Sequence, residues 1–397
     1  MQQSLSRPAH VPEHLFFDFD MYADGRISEE VHRDFKLFHQ DLPDLYYTPH
    51  HGGHWVTTSY DLISQMVQNP AVFSAREMQF PRIENPPLFI PLNLDPPENI
   101  PYRQLLMPFF SPRNVRQMED NVRRWAAEIV DQVADKGECD FMYDVAKVFP
   151  VSIFMEFMGM PLARLREFRE LAEAFFKAHT QEEFHQLTEQ IVGMLTEVIE
   201  QKRREPDDKL ISYLLGQKIE GRALRLDEIQ NMCYLLFLGG MDTVTNVTGF
   251  AYRQLAQDKA LQARLEKEPE CIGNFVEESL RCFGVVNTPR LIVQDIEIGG
   301  ASLKAGEMIL CCLPMAGRDE RHNSDPLTFN IDREKFEYLT FSKGPHLCVG
   351  HFLARAEIRI LTEEWFKRVP AFELVPAADH GCRLGTVMGI DSLPLQW

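Results

Sequence analysis

Apolar residues recur every three or four positions through most of the chain between Ser111 and Gln257, a spacing that predicts a series of amphipathic helices. The clearest examples are NVRRWAAEIVDQVA and LTEQIVGMLTEVIEQKRREP, the second of which should end near Pro206. A third segment, LDEIQNMCYLLFLGGMDTVTNVTGFAYRQLAQ, is apolar nearly all round its middle. It predicts one long helix buried at the centre of the protein.

Strand-like patterns are shorter. HWVTTSY predicts a strand, and RLIVQDIEIGGASLKAGEMILCCL predicts three strands joined by a Gly-Gly turn and a Lys-Ala-Gly turn. A second long helix should follow Cys348 and stop before Pro370, and the tail CRLGTVMGIDSLPLQW predicts strand and turn. The first hundred residues predict short helices, some strand and proline-rich loops. The pattern therefore predicts a mainly α protein with small β-sheets (α+β), and residues 1–397 form one domain because no linker marks a boundary.

Composition and charge narrow the classes of function. The 397 residues are 45% hydrophobic and 25% charged, which is enough apolar material for a large globular core. The formal net charge of -18 argues against nucleic acid and against an anionic membrane as partners, because both need a basic surface. The N-terminus lacks the pattern of a signal peptide, and no stretch approaches about 18 uninterrupted apolar residues. We expect a cytoplasmic monomer.

The eight cysteines show no CxxC pair and no regular spacing, so neither a zinc site nor a disulfide framework is indicated. Cys311 and Cys312 are neighbours on a predicted strand, where side chains alternate faces, so they cannot bind one ion together. Most of the cysteines should be small buried hydrophobic residues. They are Cys139, Cys233, Cys271, Cys282, Cys311, Cys312, Cys348 and Cys382.

Cys348 differs because it lies in a glycine-lined loop, FSKGPHLCVG, just before a predicted helix. A thiolate is a strong ligand for haem iron, and a helix N-terminus stabilises it by offering free N–H groups and the positive end of the dipole. Gly344 and Gly350 would let the backbone approach a flat ligand, and Phe341 is placed to shield the sulfur. The alternative is an ordinary buried cysteine before a helix.

The loop matches the pattern Phe-x-x-Gly-x-His-x-Cys-x-Gly at every specified position, and in this it resembles the haem-thiolate signature of cytochrome P450 enzymes. The resemblance implies haem b as cofactor, with Cys348 as the axial ligand of its iron. It also implies a single triangular, helix-rich fold in which the haem lies between the long central helix and the helix after the cysteine.

The middle of the central helix, LGGMDTVTN, contains residues that do not favour a continuous helix. Gly239 and Gly240 each cost about 1 kcal/mol relative to alanine, and the Thr243 hydroxyl can bond the Gly239 carbonyl four residues back. A helix opened for a small ligand and water is one interpretation, and a close helix crossing is the other. The family pattern Gly-Gly-x-Asp-Thr matches here, and the resemblance assigns Asp242 and Thr243 to proton delivery during dioxygen activation.

Further residues take roles from the resemblance alone. Glu278 and Arg281 match the family's Glu-x-x-Arg, which an arginine in a later loop, Arg333, would complete as a structural support of the haem pocket. The resemblance places Arg103, Arg290 and His346 beside the haem propionates.

The match extends to the bacterial camphor hydroxylase subfamily, from about Val11 to Trp397, through VPEHLFFDFDMY, GGHW, LDPPE and SLPLQW. The camphor enzyme holds the substrate ketone with a tyrosine hydroxyl, and this chain has Pro87 there, which cannot donate a hydrogen bond. Camphor is therefore a doubtful substrate. Thr386 could supply a hydroxyl to the pocket or face a strand neighbour. The other positions that the resemblance places in the pocket are apolar or small: Leu92, Leu235, Leu236, Gly239, Val286 and Val387.

No GxGxxG fingerprint of a flavin or nicotinamide site is present, so electrons should come from a separate protein. The resemblance implies a two-iron two-sulfur ferredoxin and its reductase. A docking face is expected where positive charges lie near the cysteine side of the haem, and its residues are Arg103, Lys335, Lys343 and Arg355.

The function that follows is a haem-thiolate monooxygenase that hydroxylates a small apolar terpenoid or norisoprenoid, such as an ionone, with dioxygen. The alternatives are a haem protein that senses a ligand or gas without turnover, a peroxide-driven peroxygenase, and a helical binding protein without cofactor. The Asp242–Thr243 pair favours the first, because a sensor needs no proton relay and some peroxide-driven relatives lack the pair.

Overall fold

The computed structural model describes residues 7–28, 30–82, 86–178, 180–369, 371–378 and 380–397. Helices dominate and the sheets are small, so the predicted fold class is confirmed. The α-helices are α1 Val31–Phe38, α2 Tyr60–Val67, α3 Ile100–Phe110, α4 Pro112–Ala134, α5 Phe149–Met158, α6 Leu165–Lys177, α7 Gln181–Arg204, α8 Leu210–Leu215, α9 Leu226–Met241, α10 Thr243–Gln257, α11 Lys259–Lys267, α12 Ile272–Cys282, α13 Leu313–Ala316 and α14 His351–Phe366. The strands are β1 Leu45–Thr48, β2 His54–Thr57, β3 Phe73–Ser74, β4 Glu138–Asp140, β5 Lys218–Ile219, β6 Arg222–Ala223, β7 Asn287–Ile292, β8 Ile296–Ile298, β9 Ala301–Leu303, β10 Met308–Cys312, β11 Glu373–Leu374, β12 Cys382–Arg383, β13 Gly389–Ile390 and β14 Pro394–Gln396.

The two helices with the clearest apolar spacing, α4 and α7, form as predicted. Helix α4 begins where the Ser111 side chain accepts the Asn114 N–H and Pro112 occupies the first turn. Its apolar face, which includes Val122, Ile129 and Val133, is buried, and α4 packs along α14. The helix that follows the cysteine loop is therefore supported along its length by α4.

The largest sheet has the strand order β1-β2-β10-β7-β3, with β2 and β10 parallel and the other pairs antiparallel. Its strand β10 separates two regions of the core. Cys311 packs in the smaller cluster with Trp55, whereas Cys312 packs in the main cluster with Met315. The prediction that these neighbouring cysteines face opposite sides is confirmed.

The stretch from Arg290 to Leu313 forms four strands, so the prediction of three is wrong. The chain leaves the sheet between β7 and β8, where the Asp295 carboxylate accepts the Ala305 N–H at 2.9 Å and a Lys304 ammonium hydrogen bond at 3.0 Å. Strands β8 and β9 then pair only with each other, around the Gly299–Gly300 turn. The alternation of apolar residues could not reveal this contact across the turn.

The long central helix is two helices, α9 and α10, separated at Asp242, whose φ is -114°. Most residues of both helices are buried, as the all-round apolar pattern predicts. Within the described ranges, no helix combines the length and the apolar character that a bilayer crossing needs.

Candidate active site

The cysteine loop runs from Phe341 to Gly350 and leads directly into α14. The Cys348 N–H donates to the Phe341 carbonyl at 2.9 Å, and the Gly350 N–H donates to the Cys348 sulfur. Residue Cys348 keeps accessible surface, yet the surrounding protein is dense enough that desolvation raises the pKa of its thiol. A side chain that faces an internal cleft instead of bulk water has both properties, accessible surface and a pKa raised by desolvation.

Three groups favour the thiolate form of Cys348 against this desolvation. The Gly350 N–H and the charges of Arg103 and Arg355 all lower the pKa of the thiol. Arg103 is fixed near the sulfur because its Nη2 donates to the Leu347 carbonyl at 2.6 Å. The loop therefore surrounds a soft ligand with positive potential.

Arg355 was expected on an outer docking face, and the structure corrects this. Its Nε donates to Glu277 at 2.7 Å and its Nη2 to the Tyr338 hydroxyl at 2.6 Å. Its guanidinium lies 4.7 Å from the centroid of the Phe341 ring, a cation–π contact. Arg355 thus holds the wall of the cysteine loop and is not a free surface charge. Lys335 and Lys343 are exposed.

The two glycines of the loop differ in their surroundings. Gly344 has φ +70°, and a Cβ there would lie 3.2 Å from the Gln68 Cα at the end of α2. Packing and backbone conformation therefore require this glycine. At Gly350 a Cβ would come no closer to the Cys348 sulfur than 3.9 Å, which is an ordinary contact.

Two buried basic side chains near the loop have unused capacity to donate. Arg290 on β7 is 1% exposed and forms no ion pair with any carboxylate of the described residues, although its Nη1 donates to Thr288 and to the Pro289 carbonyl. His346 is 6% exposed, and its ring nitrogens have no hydrogen-bond partner within the described part of the chain. The nearest carboxylate oxygen, on Asp95, is 3.7 Å from Nε2.

These donors fit an anionic ligand. Burial lowers the pKa of His346 to about 4, with the Arg290 charge contributing, so the imidazole is neutral at pH 7 but can still donate one N–H. A buried guanidinium without an anion is costly, and burial lowers the pKa of Arg290. A buried guanidinium without an ion pair among the described residues, beside a buried imidazole without a hydrogen-bond partner there, suits the propionate carboxylates of haem.

Gly239 and Gly240 lie in the last turn of α9. One of them fits the interpretation of a close helix crossing, and the other fits that of an opened helix. A Cβ at Gly240 would lie 2.6 Å from the Phe154 ring, so Gly240 allows α9 to pack closely on α5. A Cβ at Gly239 would meet nothing within 4 Å. The helix is therefore tightly packed at one glycine and borders open space at the other.

The break between α9 and α10 is maintained by side chains of its own residues. The Thr243 hydroxyl donates to the Gly239 carbonyl at 3.1 Å, which is the bond that the spacing predicts. The Asn246 side-chain amide donates to the Asp242 carbonyl at 3.0 Å. The Asp242 side chain is 14% exposed, and one of its carboxyl oxygens has no hydrogen-bond partner among the residues described.

The Asp242 carboxyl lies in a buried environment, and the cation with the largest effect on it is Arg383. Burial raises the pKa of Asp242, and the largest opposing effect is the charge of Arg383. The Arg383 Nη2 is 4.0 Å from the Asp242 Oδ2. A carboxyl with a raised pKa at the opening of a central helix can change its protonation more readily than an exposed one.

The structure brings Glu278, Arg281 and Arg333 together. Arg281 donates to both carboxylate oxygens of Glu278 at 2.6 Å, and Arg333 Nε donates to Glu278 Oε1 at 3.0 Å. Glu278 and Arg281 are 0% exposed. Both arginines also donate to the Thr328 carbonyl, which ties α12 to the loop ahead of the cysteine.

The pocket positions that the resemblance assigns belong to the main core or pack against it; these are Leu92, Leu235, Leu236, Val286 and Val387. Val286 and Val387 form an antiparallel bridge between two distant segments. The Thr386 hydroxyl bonds the Tyr22 phenol, so of the two possibilities for Thr386 the structure favours a neighbour contact. Pro87 is half-buried.

Sequence patterns missed two residues near these positions. Arg383 lies far from Asp242 in the chain, so no spacing rule connects them. Tyr22 lies in the stretch VPEHLFFDFDMY, and its hydroxyl donates to the Phe80 carbonyl, which joins the N-terminal segment to the segment that leads to Pro87. No local signal in the sequence could have identified either contact.

The helical fold, the cysteine loop before α14 and the broken central helix are features of a haem-dependent oxygenase. A family model described as Cytochrome P450 matches residues 151–368. The crystal structures of CYP101J2 and CYP101C1 each superpose with a TM-score of 0.90, at 33% and 27% identity, and each covers 99% of this chain. This chain covers 99% of CYP101J2 and 100% of CYP101C1.

Curated proteins agree. Probable cytochrome P450 127A1 of Sinorhizobium fredii is 30% identical over 98% of this chain and 96% of its own length. Steroid C26-monooxygenase of Mycolicibacterium smegmatis is 29% identical over 85% of this chain and 86% of its own length. The chain belongs to the cytochrome P450 family. Its cofactor is haem b, and it is a monooxygenase that uses dioxygen, a substrate and a redox partner.

Proposed function

We propose that the enzyme hydroxylates a small apolar substrate, a terpenoid or a norisoprenoid such as an ionone. One oxygen atom of dioxygen enters a C–H bond, and the other leaves as water after two electrons and two protons are supplied. The observation that carries the proposal is the opened centre of the buried helix, where Gly239 borders open space and Thr243 holds the Gly239 carbonyl. The leucines and valines of the pocket, which are buried or half-buried, suit a substrate without charge.

In this proposal the sulfur of Cys348 would bind the haem iron, and Arg290, His346 and Arg103 would hold the propionates. The haem supplies the redox chemistry that activates dioxygen. The Gly350 N–H and the charges of Arg103 and Arg355 lower the pKa of the Cys348 thiol and so oppose the desolvation that raises it. Glu278, Arg281 and Arg333 fix the loop ahead of the cysteine and have no direct part in the reaction.

Asp242 and Thr243 are proposed to deliver the two protons. A carboxyl and a hydroxyl at the helix opening can exchange protons with water and pass them on. A gas sensor would not need this pair, and a peroxygenase would receive its protons with the peroxide. The pair therefore supports an oxygenase that is driven by electrons.

Pro87 bears on the choice of substrate. We expect camphor to bind no more tightly than a terpene hydrocarbon of similar size, because the pocket has no hydroxyl at this position to donate to a ketone. The variant Pro87→Tyr should improve camphor binding by about tenfold. Binding is measured by the spin-state change in the visible spectrum, over a panel of terpenoids, norisoprenoids and a steroid.

The control for this experiment is Pro87→Phe, which adds the ring without the hydroxyl. Equal improvement in the tyrosine and phenylalanine variants would mean that ring volume, not hydrogen bonding, governs camphor binding. Tight camphor binding by the unchanged enzyme would contradict the assignment of substrate class.

The electron donor is proposed to be a two-iron two-sulfur ferredoxin, which would dock where Arg103, Lys335 and Lys343 lie near the cysteine loop. We expect Arg103→Ala to slow ferredoxin-driven reduction by roughly threefold to tenfold without loss of haem, and Arg103→Lys to retain most of the rate. Stopped-flow reduction at two ionic strengths measures the effect. If the alanine variant is reduced as fast as the unchanged enzyme at both ionic strengths, this docking face is excluded.

A further inference from the structure

The β12–β13 hairpin contacts the break in the central helix at two places. The Ile390 N–H on β13 donates to the Asn246 side chain at 3.2 Å, and Asn246 in turn donates to the Asp242 carbonyl. A Cβ at Gly249 on α10 would lie 2.7 Å from the Ile390 Cγ2, so the hairpin packs closely on this helix. The second contact is the approach of Arg383 on β12 to Asp242.

The hairpin holds the Arg383 side chain in one orientation. Its Nη1 donates to the Val387 carbonyl at 3.1 Å, and its Nε lies 3.7 Å from the Asp391 Oδ1. A Cβ at Gly389 would overlap the guanidinium, with its carbon only 2.3 Å away. Gly389 therefore leaves the space that the guanidinium needs beside Asp242.

Asp242 has few alternatives to Arg383. Among the described residues, the charged groups with the largest effects on the Asp242 carboxyl besides Arg383 are Lys147, ahead of α5, and Asp391, just after β13. Lys147 already lies 3.7 Å from Glu173 on α6. The Arg383 side chain is 26% exposed, so it reaches from the buried carboxyl towards solvent.

We propose that Arg383 is the positioning residue of the proton relay, and that its guanidinium stabilises the carboxylate form of Asp242 and turns it towards the β12–β13 hairpin. This inference rests on the proposed role of Asp242. It adds a residue that does not touch substrate or cofactor and acts only through Asp242. An opposite charge at about 4 Å favours the charged form of a carboxyl, which opposes the effect of burial.

The test uses the haem-loaded enzyme and measures, as a function of pH, the fraction of electrons that end in product instead of peroxide. Loss of the cation should raise the pKa of Asp242. As the solution is acidified, the fraction of electrons that end in product should therefore begin to fall at a higher pH than in the unchanged enzyme. We expect the midpoint in Arg383→Gln to shift upward by about one pH unit or more. In Arg383→Lys, which keeps the charge, it should stay near that of the unchanged enzyme.

The matched control is Arg166→Gln, which removes a guanidinium paired with Glu170 on the exposed face of α6 and should leave the midpoint unchanged. A purely structural role for Arg383 would lower stability without moving the midpoint, and that result would overturn the inference. A second measurement does not depend on turnover. In urea unfolding, the destabilisation by Arg383→Gln should largely disappear in an Asp242→Asn background.

Asp242→Asn also distinguishes a failure of the proposed relay from a failure of the proposed role of Arg383. If Asp242→Asn loses coupling while Arg383→Gln matches the unchanged enzyme at every pH, then Asp242 serves as a relay and the inference about Arg383 is wrong. If Asp242→Asn couples normally, the proposed relay itself is wrong and the inference falls with it.

Discussion

Cys348→Ser should abolish substrate hydroxylation and remove the red-shifted absorption band that a thiolate ligand gives to the reduced, carbon-monoxide-treated enzyme. The reason is the chemistry of the ligand atom. A serine hydroxyl remains protonated at neutral pH, and the Gly350 N–H and the charges of Arg103 and Arg355 cannot lower its pKa far enough. The measurement is a reduced-minus-oxidised spectrum under carbon monoxide, with turnover assayed on the same sample.

The structure allows this result to be distinguished from simple loss of haem. The proposed propionate partners Arg290 and His346 are unchanged in the serine variant, so bound haem should be detectable with an altered spectrum. Cys271→Ser is the matched control, because Cys271 is a partly buried free cysteine whose neighbours are Arg264 and Glu268. Persistence of the thiolate band in Cys348→Ser would exclude Cys348 as the ligand.

Thr243→Ala should continue to consume reductant but divert it to peroxide, so that product per electron falls roughly tenfold or more. General acid–base groups contribute factors of about 10²–10⁴, and the loss of one relay member should affect coupling more than electron uptake. Oxygen consumption, peroxide and product are measured together. Thr243→Ser is the control, since it retains the hydroxyl that can donate to the Gly239 carbonyl.

A yield per electron in Thr243→Ala equal to that of the unchanged enzyme would remove Thr243 from the relay. A low yield in both the alanine and serine variants would instead point to the shape of the helix opening. The two substitutions therefore separate the hydroxyl from the methyl group of threonine.

Much of the fold could be predicted because each helix is encoded within a few turns of chain. Helix α4 follows from the Ser111 cap, Pro112 in the first turn and apolar residues at three- and four-residue spacing. The helix opening was predicted for the same reason, since Thr243 and Gly239 are four residues apart. The strand count between Arg290 and Leu313 was wrong because Asp295 bonds across a turn to Ala305.

The site was less predictable than the fold. The position of Cys348 ahead of α14 follows from the sequence. The hydrogen bonds that Arg355 donates to Glu277 and Tyr338 do not. Likewise the sequence does not show that a Cβ at Gly344 would meet Gln68 at the end of α2. In each case a distant element decides what lies next to a residue.

By itself the sequence determined the helical elements, the cysteine loop at a helix N-terminus and the local bond that opens the central helix, because those features depend on residues within about one turn of each other. Only the tertiary structure decided that Arg383 reaches Asp242, that Arg290 and His346 lie buried without an acidic hydrogen-bond partner among the described residues, and that Tyr22 meets Thr386. Such pairs depend on which surfaces pack together over the whole chain. Local spacing carries no information about that packing.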